Sequence, residues 1–165
     1  LTFLGADDQW MNIDSLSHLM KMAEYPHVNY VSGKAFAAGN KSKSFGKKFD
    51  FSSLMYGMKF IHVGSLHHKS LFRNHGYFDS NYKIAGDYDF FVRNGKHIKP
   101  AFYPVEVILM GSGGLSNVKY HKVFFESFTS LKRSPDFGLF MAVIFIVKSY
   151  LALVSKHFMT VPIQK

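Results

Sequence analysis

Two groups of acidic residues stand where carboxylates could do chemistry. Asp7 and Asp8 follow a short apolar run at 1–4 and precede Trp10. In open α/β sheets ligands collect beyond the carboxyl ends of strands, and carboxylates there can hold Mg²⁺ or Mn²⁺ against a diphosphate. The same pair could instead cap a following helix, so the spacing alone leaves both interpretations open.

The second group is Asp79, Asp87 and Asp89. Asp89 and Arg93 stand four residues apart in a predicted helix, which predicts a structural ion pair. Asp87 follows Gly86 at the start of that helix. A carboxylate there could serve as a general base, or it could simply cap the helix N-terminus.

The elements that must position these residues follow from hydrophobic periodicity and from the placement of Gly and Pro. Strands are predicted over 1–4, 28–36, 60–66 and 101–110, and helices over 14–25, 52–56, 70–74, 86–92, 120–131 and 137–156. An exposed hairpin or loop is predicted over 37–50 and a flexible loop over 111–114. Strands separated by helices indicate the α/β class. The 120–131 helix has a predicted apolar stripe, with Glu126 elsewhere around it; the stripe comprises Tyr120, Val123, Phe124, Phe128 and Leu131.

Composition narrows the class of partner. The 165 residues carry a formal net charge of +9, which favours anionic partners. No Lys/Arg run alternates with aromatic residues, so a nucleic-acid partner is not expected. The absence of Cys removes disulfides, thiolate zinc sites and Cys nucleophiles, and it predicts a reducing, cytoplasmic location.

The order of several motifs resembles one enzyme family. The segment 4–10, Leu-Gly-Ala-Asp-Asp-Gln-Trp, resembles the metal-binding DxD segment of family 2 glycosyltransferases of the GT-A fold. The later motifs resemble the acceptor-side block of that family: His62, then Lys-Ser-Leu-Phe at 69–72, Gly-Tyr-Phe-Asp at 76–79, Tyr-Lys-Ile at 82–84, and Gly-Asp-Tyr-Asp at 86–89 followed by Arg93. The resemblance covers roughly residues 1–115 and is closest to enzymes of bacterial capsule, exopolysaccharide or O-antigen synthesis.

The resemblance implies an inverting, metal-dependent glycosyltransferase. The donor would be a nucleotide-diphosphate sugar, the acceptor a glycan or lipid-linked hydroxyl, and the cofactor Mg²⁺ or Mn²⁺. By this resemblance, Asp7 would be the direct metal ligand, Asp8 would support it, and Asp87 would be the catalytic base.

The remaining site residues carry over by the same resemblance. Trp10, His62 and Asp79 would lie near donor or acceptor, with Asp79 and Arg93 serving as scaffold of the acceptor block. His62 could equally be a hydrogen-bonded core histidine. Gly111, Gly113 and Gly114 would form a lid loop over the donor, and the alternative is a helix-entry turn with Ser116 as N-cap.

The sequence departs from the family pattern in two respects. Gly5 stands where the family often has the first Asp of DxD, and the segment that would bind the nucleotide is not found in the chain. The first residue is not Met and the opening residues already have a strand pattern, so we expect a fragment that binds donor poorly alone. The expected organisation is an acceptor and metal half over 1–115 and a helical extension over 116–165.

The helical extension has three possible placements. The run 137–147 has eleven uncharged residues, against about 20 needed to span a bilayer. It could therefore pack on the domain, lie in a membrane interface, or, least expected, span. Residues 116–165 carry seven Lys/Arg and two acids, which suits the anionic cytoplasmic face of an inner membrane.

Two other functions compete with sugar transfer. Gly5 and the missing half would suit a non-catalytic scaffold that keeps only the fold. The two acidic clusters could alternatively form a two-metal phosphate-ester hydrolase, although such a site normally has more His or Asp ligands than the Asp7 turn offers.

Overall fold

A computed structural model of the chain describes residues 1–38, 40–111, 113 and 119–160. The strands are β1 (Gln9–Trp10), β2 (Tyr30–Ala37), β3 (Asn40–Phe45), β4 (Leu66–His67) and β5 (Pro100–Met110). The helices are α1 (Ser15–Ala23), α2 (Lys69–His75), α3 (Gly86–Asn94), α4 (Tyr120–Arg133) and α5 (Gly138–Thr160), with 3₁₀ turns at Phe51–Tyr56 and Gly95–His97. This is an α/β chain with a mixed sheet and flanking helices, as predicted.

The sheet is built around a parallel pair. β2 and β5 run in parallel from Tyr30 opposite Pro100 to Ala37 opposite Met110. β1 adds antiparallel to the far side of β5. On its other edge, β2 pairs antiparallel with β4 through its first two residues and with β3 through its last three. The end of β5 and the start of β1 therefore lie side by side.

Two apolar clusters cover the two faces of this sheet. Tyr30 and Val31 point to opposite faces because they are successive residues of β2. Val31 belongs to a cluster with Leu19 of α1. Tyr30 belongs to a larger, aromatic-rich cluster that includes residues of α3, α4 and α5. The helices of the 116–165 segment thus contribute to the same core as the sheet. The domain boundary predicted near residue 115 falls outside the described residues.

Buried polar groups within the aromatic cluster have shifted ionisation. Burial raises the pKa of Tyr30, whose hydroxyl donates to the carbonyl of Ile61 at 2.8 Å. Burial lowers the pKa of His67 to about 4, helped by the nearby His62. His67 is therefore a neutral core residue at ordinary pH.

Two predicted strands are wrong. Residues 1–4 form no strand and are exposed, although the carbonyls of Leu1 and Phe3 accept from the backbone of His67 and Gly64 at 2.8 Å. Of 60–66, only Leu66 joins a strand. Gly64 has φ +67°, which breaks the extended run before β4.

The buried face of α4 also differs from the predicted stripe. Leu131 is fully buried, but Tyr120 is exposed. Glu126, Ser127 and Ser130 are buried instead, because this face meets polar groups of α3 and of the segment before it.

Candidate functional site

The predicted reactive carboxylates lie along one cleft of about 660 Å³. Asp7 and Asp8 enter from the turn before β1, and Gly111 follows β5 beside them. Asp87 enters from the first turn of α3 and His62 from the loop before β4. α4 and α5 line the cleft with Val123, Phe124, Ser127, Phe145 and Ser149. Segments eighty residues apart thus contribute acids to one space.

The two aspartates of the turn are held differently. Asp8 is engaged through both carboxylate oxygens: Oδ2 accepts from Gly5 N and Oδ1 from Gly111 N, each at 2.9 Å. Asp7 accepts through Oδ2 from Gly113 N at 3.2 Å. Among the described residues, Oδ1 of Asp7 has no such bond. Asp8 is therefore a structural anchor of the turn, and Asp7 is the carboxylate more available to a ligand.

The glycines at this turn have steric roles. A Cβ on Gly5 would lie 2.5 Å from Asp8 Oδ2, so an Asp in its place would force Asp8 to move. A Cβ on Gly111 would lie 1.9 Å from Asp7 Oδ2 and 2.1 Å from its Cγ. The predicted lid glycines Gly111 and Gly113 also hold the acidic turn, because their N–H groups donate to Asp8 and Asp7 respectively. Gly114 and Ser116 lie outside the described residues.

Asp87 forms a pair with His62. His62 Nε2 lies 3.0 Å from Asp87 Oδ2, and both side chains are partly exposed to the cleft. The other oxygen, Oδ1, accepts from the N–H of Tyr88 at 2.7 Å. With its Nε2 protonated, His62 donates to the carboxylate and fixes its plane. His62 is thus placed in the cleft rather than within the aromatic core.

Other predicted site residues lie elsewhere. Trp10 is in β1 and packs against the cluster around Leu19, outside the cleft lining. Asp79 is also outside the lining, and its Oδ1 accepts from the backbone and side chain of Asn81. The pair at 89 and 93 forms as the spacing indicates, with Arg93 Nε 2.7 Å from Asp89 Oδ2.

Several cleft residues were not singled out by the sequence. Tyr56 and Ser127 line the cleft. Tyr56 has the ammonium groups of Lys148 and Lys59 at 4.1 and 5.2 Å from its ring centroid. Nothing in their local spacing marks these residues, because the fold brings them together from separate elements.

The carboxylates of the cleft suit a metal ion that is also bound by a substrate better than a metal ion held by the protein alone. Within the described ranges, no group of three or more His, Asp or Glu side chains is placed to hold an ion together. Mg²⁺ is usually bound by one or two carboxylates together with substrate phosphates and water. Asp7, supported by Asp8, fits that arrangement.

Comparisons with known proteins point to one broad class of enzyme. No family model matches the chain. It is 26% identical over 150 residues to curated proteins named PGL/p-HBAD biosynthesis glycosyltransferase, from Mycobacterium bovis (strain BCG / Pasteur 1173P2) and Mycobacterium tuberculosis (strain ATCC 25177 / H37Ra). The match covers 88% of this chain and 57% of those relatives, so the chain spans little more than half their length. The likeness supports a glycosyltransferase in general and does not distinguish among families.

Proposed function

We propose that this chain forms the acceptor and metal-binding part of an inverting glycosyltransferase of family 2 and the GT-A fold. The observation that carries the proposal is the single cleft that receives both the Asp7 turn and the Asp87–His62 pair. The donor would be a nucleotide-diphosphate sugar, and the acceptor a hydroxyl of a glycan or lipid-linked glycan. The names of the mycobacterial relatives, which refer to PGL/p-HBAD biosynthesis, support a biosynthetic glycosyltransferase.

The proposed reaction is a single displacement. Asp87 accepts the proton of the acceptor hydroxyl, whose oxygen then attacks the anomeric carbon of the donor sugar. The bond from that carbon to the donor phosphate oxygen breaks, and the nucleoside diphosphate leaves with the electron pair. Attack from the opposite side inverts the anomeric configuration. His62 orients the base through its 3.0 Å contact with Oδ2.

Mg²⁺ or Mn²⁺ would be held by Asp7, with Asp8 keeping the turn in shape through its contacts to Gly5 and Gly111. When bound, such an ion neutralises charge on the leaving diphosphate. The chain's own contribution is to present Asp7 with Oδ2 fixed by Gly113.

The activity test is a screen of nucleotide sugars with the full natural protein that contains this chain. We expect release of nucleoside diphosphate that requires an acceptor, rises with Mn²⁺ or Mg²⁺ and is abolished by EDTA. Hydrolysis of phosphate esters without sugar transfer would instead indicate a metal-dependent hydrolase. Folded protein that turns over no nucleotide sugar would indicate a scaffold.

We also propose that α5 lies on an anionic membrane surface. No helix among the described residues is long and apolar enough to cross a membrane. α5 packs inward through Ala142 and Phe145, and its outer side exposes a row of apolar side chains, with Phe140 at 72% exposure; the row also includes Leu139, Val143, Val147, Tyr150 and Leu151. The excess of Lys/Arg over acids in residues 116–165 provides charge complementarity to anionic lipid.

Vesicle sedimentation tests this placement. We expect the protein to sediment with vesicles containing phosphatidylglycerol and much less with purely zwitterionic vesicles. Phe140→Ser combined with Val147→Ser should reduce the bound fraction severalfold. Ile13→Ser is the matched control, because Ile13 is an exposed apolar residue in the loop before α1. Equal binding by all three proteins would contradict a role for α5.

A further inference from the structure

A buried carboxylate on α4 holds the segment that leads into α3. Glu126 is 7% exposed. Its Oε1 accepts from Lys83 N at 3.1 Å, and its Oε2 accepts from Ile84 N at 2.9 Å and from Ala85 N at 2.8 Å. Burial alone would raise the pKa of Glu126, but these three N–H groups and Lys122 lower it, so the carboxylate is charged at neutral pH.

These contacts hold the backbone just before α3, which has no side-chain cap at its N-terminus. Ala85 occupies the N-cap position and provides no side-chain hydrogen bond. The three N–H groups that Glu126 binds lie two to four residues before Asp87. Hydrogen bonds to an ionised acceptor are about twice as strong as neutral ones. The position of the first turn of α3 therefore depends on a charge supplied by a different helix.

We infer that Glu126 is a positioning residue for Asp87, an inference that rests on the proposed function. It fixes the backbone from which the Asp87 carboxylate reaches His62 and the cleft. Ile84 and Ala85 themselves line that cleft, as does Ser127 beside Glu126. Through this contact, α4 controls the distance between the base and the Asp7 turn.

Both the charge and the two oxygens of Glu126 are needed. A glutamine at this position has one acceptor oxygen, and its NH₂ group would face at least one of the three backbone N–H groups. Glu126→Gln should therefore loosen the 83–85 segment while retaining the size of the side chain.

The first test measures sugar transfer by Glu126→Gln in the full natural protein. We expect kcat to fall about tenfold or more, because small misplacements of a reacting group are costly, while KM for the donor stays within about twofold. Glu126→Asp keeps the charge on a shorter stem and should give a smaller loss. A wild-type kcat for a folded Glu126→Gln protein would overturn the inference.

The matched control is Ser130→Ala. Ser130 is also buried on α4, and its hydroxyl donates to Asp89 Oδ1 at 2.9 Å, so its loss weakens the same helix pair away from Asp87. We expect its kcat to stay near that of the wild type. An equal fall in kcat for both variants would reduce Glu126 to a general packing role and overturn the inference.

Amide hydrogen exchange provides a readout independent of activity. In the wild-type protein the amides of residues 83–85 should be protected although they precede the helix, and Glu126→Gln should increase their exchange about tenfold or more. Wild-type amides that exchange as fast as an exposed loop would overturn the inference even if no variant folds. Asp87→Asn separates the two proposals: if it retains transfer, the base assignment fails irrespective of Glu126.

Discussion

Asp87→Asn is expected to lower kcat for sugar transfer by about 10²–10⁴-fold, the range that general bases contribute. The amide is nearly the same size and can still accept from Tyr88 N, which Asp87 does through Oδ1 at 2.7 Å. It cannot take up the proton of an acceptor hydroxyl. The loss should therefore appear in kcat at saturating donor, with little change in the thermal unfolding midpoint.

Asp14→Asn is the control for this experiment. Asp14 is exposed before α1 and makes no side-chain cap bond, so the same change of carboxylate to amide should leave transfer unaffected. If Asp87→Asn transfers sugar at the wild-type rate, Asp87 is not the base. If both variants lose activity equally, the effect is one of general charge rather than of position.

Gly111→Ala is expected to lower metal-dependent transfer by about 10²-fold, the upper end of effects seen when groups that support a metal ligand are disturbed. The added methyl would lie 1.9 Å from Asp7 Oδ2 and 2.7 Å from Asp7 Cβ, so the Asp7 side chain must rotate and the backbone of its turn must also shift. Because Asp7 is exposed, we expect the shift of the turn to lower the free energy of unfolding by about 1 kcal/mol, the usual size for a point substitution. The loss of metal-dependent activity should therefore exceed the loss in free energy of unfolding.

Titration of activity with Mn²⁺ measures the effect, and Gly113→Ala provides a graded comparison. A Cβ on Gly113 would meet Asp7 Oδ2 at 3.4 Å, an ordinary contact, so we expect a loss of a few fold at most. A Gly111→Ala protein with an unchanged Mn²⁺ midpoint and rate would show that the position of Asp7 does not matter to metal use.

The sequence predicted the elements whose signals are local. α1, α3 and β5 agree with the predicted ranges because Pro, Gly and apolar periodicity mark their ends. The 60–66 strand failed because the chain turns at Gly64, which has φ +67° and lies so close to Ile108 that a Cβ there would be 2.3 Å from Ile108 Cδ1. No periodicity encodes that long-range contact.

The residues of the candidate site also differ in whether the sequence could predict them. Asp87 could be singled out because it stands at a helix start, and Asp7 and Asp8 because an acidic pair follows an apolar run, although that run forms no strand. Glu126 could not be found, because its position in the helix pattern lies off the predicted apolar stripe, whereas it is buried against three backbone N–H groups. Its role follows only from the packing of α4 beside the segment before α3.

The placement of Trp10 provides an intrinsic fluorophore for the acidic turn. It is the only tryptophan of the sequence, stands two residues after Asp8, and is held in β1 opposite Ile108. Its indole is partly buried, so rearrangement of the neighbouring turn would alter its contact with solvent and its emission. Binding of a cation or a diphosphate that rearranges the turn would therefore be visible in the fluorescence of the unlabelled protein.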